Sequence, residues 1–439
     1  MLSRGFKLKT VNIGICGLGN VGSGTFNVLV RNKSIIESRL GGQLSIVQVA
    51  SRRDNPACDL TGVAVTRDIF DVVNNPNVDV VLELIGGTTV ARELILSAIA
   101  NGKHVVTANK ALIAEFGNEI FAKAHEKNVT VAYEAAVAGG IPIIKVLREG
   151  LVANRIEWLA GIINGTGNFI LTEMADKNRD FADVLKEAQA LGYAEADPTF
   201  DVEGIDAAHK LVILASLAFA MPLAFDEVFY EGISTIETKD IHYAKNLGYR
   251  IKHLGIARRQ QQGIELRVHP TLIPEKRLLA NVDGVHNAVL IKGDAVGPTL
   301  YYGPGAGSEP TASSVIADVV DVARKIISGS QSNVSALGFT EIETQIILPI
   351  TEAIMAYYLR FEVVDKPGVL SQLTKIFSDR GISVEAVHQN EPPEGRAHAE
   401  IVILTNRVKE ALLLEAISAV EKLEVIRGSI HKIRVEALN

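Results

Sequence analysis

Cysteine is nearly absent from the sequence: Cys16 and Cys58 are the only two in 439 residues. One conceivable bridge cannot build a disulfide scaffold, so the chain fits a reducing cytoplasm. There is no basic excess either. Lys and Arg number 44 against 51 Asp and Glu, a net charge of -7, which argues against nucleic acid as a partner. Long apolar runs are missing: the longest, Leu211–Met221, includes Ser216 and falls short of the roughly 20 residues a bilayer span needs, so no membrane partner is expected. The opening MLSRGFKLKT lacks the apolar centre of a secretory leader. Low-complexity tracts and internal repeats are also lacking. What remains is a globular composition, 47% hydrophobic and 22% charged, long enough for two or three domains of about 150 residues.

Val11–Cys16 is a β-branched apolar run, after which Gly17, Gly19 and Gly22 form G-x-G-x-x-G around Asn20 and Val21 ahead of a helical stretch. Strand, glycine turn and helix in that order make the dinucleotide fingerprint, because missing side chains let a pyrophosphate reach the amides of a helix N-terminus. The second strand, Ser45–Ser51, ends in Arg52 and Arg53. An arginine there suits the 2′-phosphate of NADP, whereas an acid would hold the ribose hydroxyl; the neighbouring Asp54 leaves NAD open. Asp79–Leu84 and His104–Thr107 alternate with helical segments, the rhythm of an α/β, doubly wound, Rossmann-type sheet. Lys110 follows the second of these strands, at the sheet edge that binds ligands, a place that also suits a solvated helix-start lysine.

Val129–Glu134 reads as a further strand before the small-residue turn with Gly139 and Gly140. Free carbonyls there, beside Glu134, could hold a hard monovalent cation, or the turn could simply pack closely. Gly303, Gly305 and Gly307 precede a Ser/Thr-rich helix start, a second terminus suited to anions, on a helix predicted to return to the first domain.

From Arg155 the pattern changes. RIEWLAGIIN reads as a strand of another sheet ending in the donor-rich turn Asn164–Asn168. The segment GYAEADPTFDVEGIDAAHK, Gly192–Lys210, then concentrates Glu195, Asp197, Asp201, Glu203, Asp206 and Lys210 just before the Leu211–Met221 run. Pro198 keeps its first half in a loop, and Gly204 permits a helix from Ile205 that sets Asp206 and Lys210 one turn apart. Such a pair is either a surface salt bridge or a piece of chemistry, and the apolar sequence beyond it places that face near a core. Asp197 is read as shaping the turn before Pro198, and Glu203 as solvated. Gly255–Lys292 alternates like antiparallel strands. After a connecting stretch the C-terminal segment reads βαββαβ, a ferredoxin-like order with no catalytic cluster and with edge strands open to pairing between chains.

At this point the residues resemble a known family. AQALGYAEADPTFDVEGIDAAHK looks like the signature of homoserine dehydrogenase, and GLGNVG, TANKAL, GIINGTGNFIL and YYGPGAG resemble its other segments in the same order, over about residues 11 to 325. The C-terminal unit, with VVDKPGVL at its first turn, resembles an ACT domain. One departure is visible: the family often has a second threonine where this chain has Gly167. The resemblance implies reversible NAD(P)H-dependent reduction of L-aspartate 4-semialdehyde to L-homoserine. It implies Lys210 as proton donor with Lys110 beside the reacting oxygen, Asp201 and Asp206 orienting the lysines, and Glu195 on the substrate ammonium, with Asn164, Gly165 and Thr166 also at the substrate. Glu134, Val137, Gly139 and Ile141 match the family's loop for a monovalent cation, Na+ or K+. Gly305 joins the glycine turn, Arg52, Arg53 and Lys110 at the cofactor. Threonine is the expected effector at the ACT domain, and a homodimer or homotetramer the expected assembly. The domains expected are a cofactor domain at 1–140 completed by 303–330, an α+β substrate and dimerisation domain at 141–302, a linker at 331–353 and the ACT domain at 354–439. A non-catalytic cofactor-binding sensor is the reading from another class. An acylating aldehyde dehydrogenase would need a thiolate at the site, and neither cysteine is placed for it.

Overall fold

The computed structural model describes residues 9–330, 334–389 and 398–439; the leader question at the first eight residues lies outside them. The chain divides into two compact units, one of Met1–Leu159, His209–Asp226 and Asn287–Gln345, the other of Ala160–Ala208, Glu227–His286 and Ile346–Asn439.

The first unit carries strands β1 (Thr10–Cys16), β2 (Gln43–Ala50), β3 (Ala64–Thr66), β4 (Val80–Glu83), β5 (His104–Thr107) and β6 (Val131–Ala132). Their order is β3-β2-β1-β4-β5-β6 and every pairing is parallel. Helices α1 (Asn20–Arg31), α2 (Lys33–Leu40), α3 (Ile69–Asn74), α4 (Thr89–Ala100) and α5 (Lys110–Glu126) connect them. Helices on both faces bury the central strands, which is why β1 and β4 read as continuous apolar runs. The strand order reverses between β1 and β4, so the crevice at their carboxyl ends is where this topology holds a ligand. The Ser308–Ser328 helix packs Val315 and Val319 into the same core as Ile13, Ile15 and Leu82. Sequence reading passed over β3 and α2, whose signals are weak: β3 has three residues, and α2 buries only Leu40.

In the second unit, the strands Tyr249–Arg259 and Ile264–Pro274 pair antiparallel, as the alternation suggested. The C-terminal segment is ferredoxin-like, its strands ordered Ile426–Val435, Ile354–Val364, His398–Thr405, Val384–Gln389 with all pairs antiparallel. It does not stand apart. Thr271 and Leu272 pair in parallel with Arg434 and Val435, and one core joins Phe169, Ile170, Tyr243 and Leu272 to Tyr358, Val402 and Ile433. Of the two edges expected to be open, Ile426–Val435 is paired within the chain at Arg434 and Val435, while among the described residues Val384–Gln389 is an outer strand. Part of the stretch expected as linker is also ordered, because Ile347 and Leu348 pair with Ile264 and Glu265.

Candidate active site

The glycine turn has three distinct glycines. Gly17 sits at φ 100°, and a Cβ there would lie 2.7 Å from the Leu84 carbonyl oxygen. A Cβ on Gly22 would lie 1.9 Å from the Gly17 carbonyl oxygen, so this glycine lets α1 close onto the turn. At Gly19, which caps α1, a Cβ would meet nothing within 4 Å. Two glycines therefore serve packing, and the third leaves open space over the helix amides, where an anion is stabilised. Beyond β2, Arg52 and Arg53 are exposed, while the Asp54 carboxylate lies 2.6 Å from the Arg67 guanidinium. The acid that left NAD open is thus drawn toward a cation.

A polar lock at the ends of β4 and β5 positions Lys110. Glu83, fully buried, accepts hydrogen bonds from the Ile85 and Gly86 amides at 3.0 and 3.2 Å and from the Thr107 hydroxyl at 2.6 Å. Thr107 accepts from the Asn109 amide at 3.0 Å, and the Asn109 side chain donates to the Gly87 carbonyl at 2.6 Å while accepting from the Leu112 amide at 3.2 Å. Lys110 is then the first residue of α5. Sequence reading missed Glu83, whose only signal was an acid inside an apolar strand, a group that is costly to bury without partners.

The turn after β6 is close-packed and polar at once. Ala138 and Gly139 adopt φ 53° and 39°. A Cβ on Gly139 would lie 2.5 Å from the Gly305 carbonyl oxygen, and the Gly140 amide donates to the Pro304 carbonyl at 3.0 Å. The Ser314 hydroxyl donates to the Gly139 carbonyl at 2.6 Å and the Ile143 amide to the Ile141 carbonyl at 2.8 Å. Each of those oxygens keeps a second lone pair for a cation. The Glu134 carboxylate is committed elsewhere, accepting from the Ile144 and Lys145 amides at 2.9 and 2.8 Å. Burial first, and then the Asp318 charge, push its pKa up to about 7. A carboxyl whose pKa rises on folding stabilises the fold below its unfolded value, and that contribution is lost as pH climbs through the folded one. Between about pH 4.5 and 7 the loss reaches about 3 kcal/mol. Glu134→Gln is therefore expected to flatten the fall of the melting temperature over that range. Parallel pH profiles for the two proteins would refute the assignment.

In the second unit, Asn164 is the hub. It caps the Gly165–Lys177 helix by accepting from the Gly167 amide at 2.7 Å. Its Nδ2 donates to Asp201 Oδ1 and to Asp206 Oδ2, each at 2.7 Å. One amide thus gathers two carboxylates from the short Thr199–Val202 helix and the start of the Ile205–Phe219 helix. The Thr166 hydroxyl donates to the Tyr193 carbonyl at 2.6 Å, tying the same turn to the acidic loop. Asp197 accepts from the Thr199 amide at 3.1 Å and its hydroxyl at 2.6 Å, a local cap. Glu195 is exposed on the loop. Glu203 departs from expectation: it is half-buried, with Oε2 packed on Gly232. Asp206 and Lys210 are four residues apart on one helix, and both are buried. Both cysteine thiols are buried, which pushes their pKa up, so neither offers a thiolate.

Comparison with known proteins now decides the family. Residues 142–320 match the model of homoserine dehydrogenase, 17–134 that of its NAD-binding domain and 357–425 that of the ACT domain. The chain is 61% identical to a homoserine dehydrogenase of Pseudomonas aeruginosa over 98% of its own length and all of the relative's. The chain belongs to the homoserine dehydrogenase family. A Bacillus subtilis homoserine dehydrogenase is 42% identical over 98% of this chain and 99% of its own. The crystal structure of a homoserine dehydrogenase from Thiobacillus denitrificans superposes with a TM-score of 0.93 at 56% identity, covering 98% of this chain and 99% of its own. A hyperthermophilic archaeal homoserine dehydrogenase solved in complex with NADPH has a TM-score of 0.61 at 26% identity, covering 72% of this chain and 98% of its own. The enzyme is thus an NAD(P)-dependent oxidoreductase that interconverts L-aspartate 4-semialdehyde and L-homoserine, and it carries a C-terminal ACT domain. No helix among the described residues is long and apolar enough to cross a membrane.

Proposed function

We propose that Lys210 is the proton donor of this homoserine dehydrogenase and that Lys110 assists at the reacting oxygen. NADPH, when bound, supplies the hydride to the aldehyde carbon. As negative charge builds on the oxygen, a nearby ammonium stabilises it and then gives up a proton to form the alcohol. Asp201 and Asp206 hold the lysines charged and aimed, Glu195 takes the substrate ammonium, and Gly165 and Thr166 frame the substrate. Asn164 acts through the carboxylates, since both of its N–H bonds are spent on them. That bridge is the observation that carries the reading: two acids are brought together at the head of the helix bearing Lys210, an arrangement that would repel itself without a donor between them. The direct test is NADPH oxidation by aspartate semialdehyde in a Lys210→Met enzyme whose NADPH binding is measured alongside.

The cofactor is read as NADP, held by Gly17, Gly19, Asn20, Val21, Gly22 and Gly305, with Arg52 and Arg53 on the 2′-phosphate. The exposed arginines and the engagement of Asp54 by Arg67 support this. Arg52→Ala is expected to raise the KM for NADPH by about tenfold, the loss of one charge-assisted contact, and to leave that for NADH unchanged. Equal losses with both cofactors would show that Arg52 does not read the phosphate. A monovalent cation is placed on the carbonyls of Glu134, Val137, Gly139 and Ile141. Threonine is the proposed effector of the ACT domain, in a cytoplasmic homodimer or homotetramer.

A further inference from the structure

One short segment links the C-terminal unit to the acidic loop by polar contacts. Arg434, 1% exposed on the Ile426–Val435 strand, donates to Glu410 through Nε at 2.9 Å and Nη2 at 2.5 Å, and to Glu231 Oε2 through Nη1 at 2.8 Å. Its guanidinium also lies 4.8 Å from the Phe229 ring centre. Glu410 is anchored in turn by Lys432 at 2.7 Å and by the Tyr357 hydroxyl at 3.1 Å. One guanidinium therefore joins the 410–420 helix of the C-terminal unit to the segment Phe229–Ile233.

The other side of that segment lies on Val202–Gly204, between the short helix that carries Asp201 and the helix that carries Asp206. The Ile233 amide donates to the Val202 carbonyl at 2.8 Å. A Cβ on Gly232 would fall 2.3 Å from Glu203 Oε2 and 2.6 Å from the Val202 carbonyl oxygen, so the Gly232 backbone lies directly on Val202 and Glu203. The Glu231 carbonyl accepts from His253 Nε2 at 3.0 Å. The buried His253 ring lies against Gly204, where a Cβ would be 3.2 Å from Cε1 and where φ is 87°. With Nε2–H given to Glu231, Nδ1 carries the lone pair, and it is buried without a hydrogen-bond partner among the described residues. A nitrogen in that position is held by packing and by one hydrogen bond, so displacing Glu231 displaces the ring.

We propose that Glu231 and His253 are positioning residues, through which the C-terminal unit sets the placement of Val202–Gly204 and hence of the flanking Asp201 and Asp206. Close-packed interiors pass small shifts on rather than absorbing them, and each contact from Arg434 to Gly204 is direct. The inference rests on the proposed role of Asp201 and Asp206 in orienting the catalytic lysines. An amino acid bound to the C-terminal unit that altered the Glu410–Arg434 pairing would act on the reaction by this route, without touching substrate.

The test is steady-state kinetics of the full-length Glu410→Gln, Glu231→Gln and Asp206→Asn enzymes, with melting temperatures recorded for each. Substitutions along a coupled network change binding by about 2- to 30-fold. Glu410→Gln and Glu231→Gln are expected to lower kcat/KM for aspartate semialdehyde within that range and to leave the KM for NADPH unaltered, a split that general destabilisation would not produce. If Glu410→Gln folds poorly, Glu231→Gln, which leaves the Arg434–Glu410 pair in place, gives the answer. Normal kcat/KM for aspartate semialdehyde in both, with Asp206→Asn impaired, would overturn the coupling and leave the site assignment standing. Unimpaired Asp206→Asn would overturn both.

Discussion

A Lys210→Met enzyme is expected to turn over about 10² to 10⁴ times more slowly while binding NADPH as before, the usual contribution of a general acid. The substitution keeps the length and apolar stem of the side chain. Lys210 is buried on the Ile205–Phe219 helix, whose following residues are apolar, so methionine removes charge and proton while the packing is retained. The ammonium matters most when alkoxide charge develops, so the loss should fall on kcat more than on the KM for aspartate semialdehyde. Single-turnover NADPH oxidation combined with a fluorescence titration of NADPH separates the two. Turnover within a few-fold of the parent enzyme would remove Lys210 from the chemistry and shift the role of donor to Lys110.

The largest expected effect on stability belongs to a residue with no proposed part in the chemistry. Glu436 is buried and accepts from Arg258 Nη2 at 2.9 Å and from Arg267 Nη2, while its amide donates to the Leu272 carbonyl at 3.0 Å. Burial alone would raise its pKa, but the Arg267 and Arg258 charges hold it down at about 2. Removing one partner of a buried pair costs about 3 to 5 kcal/mol, because the other charge stays behind. Arg267, 1% exposed, would keep one carboxylate among the described residues, Glu265 at 3.2 Å, and the His269 ring nitrogen at 2.9 Å. Glu436→Ala is accordingly expected to lower the unfolding free energy by about that amount in urea titrations near neutral pH. The sign with pH follows from the depressed pKa: the contribution is complete above the unfolded value near 4.5 and is lost as pH falls toward 2. The gap between parent and variant should therefore narrow in acid. A gap of less than about 1 kcal/mol at pH 7 would mean that Arg267 is satisfied without Glu436.

These two residues mark how far the sequence could be read. Lys210 stands in a long signature whose spacing is helical, so its helix and its neighbour Asp206 were legible from local rules. The cap formed by Asp197 was legible for the same reason: a short acidic side chain before a proline reaches its own backbone two residues on. Glu436 gave no such signal. Its partner Arg267 lies 169 positions earlier, and in an alternating strand an arginine reads as an outward-facing charge. Asn164 was similarly opaque as a hub, since its two carboxylates lie 37 and 42 positions away; only the turn it caps was visible.

The sequence by itself determined the parallel cofactor sheet, the glycine turn at its switch point, the acidic segment with its helix restart and the ferredoxin-like C-terminal order. Each of these follows from periodicity, turn chemistry or capping within about twenty residues. Tertiary structure alone decided that Asn164 joins Asp201 to Asp206, that Glu83 locks the strand ends ahead of Lys110, and that the C-terminal sheet is continuous with Ile264–Pro274. The physical reason is the same in each case. A buried charge or an unpaired strand edge must find a partner, and the chain's periodicity shows the need without showing where in the fold the partner will be.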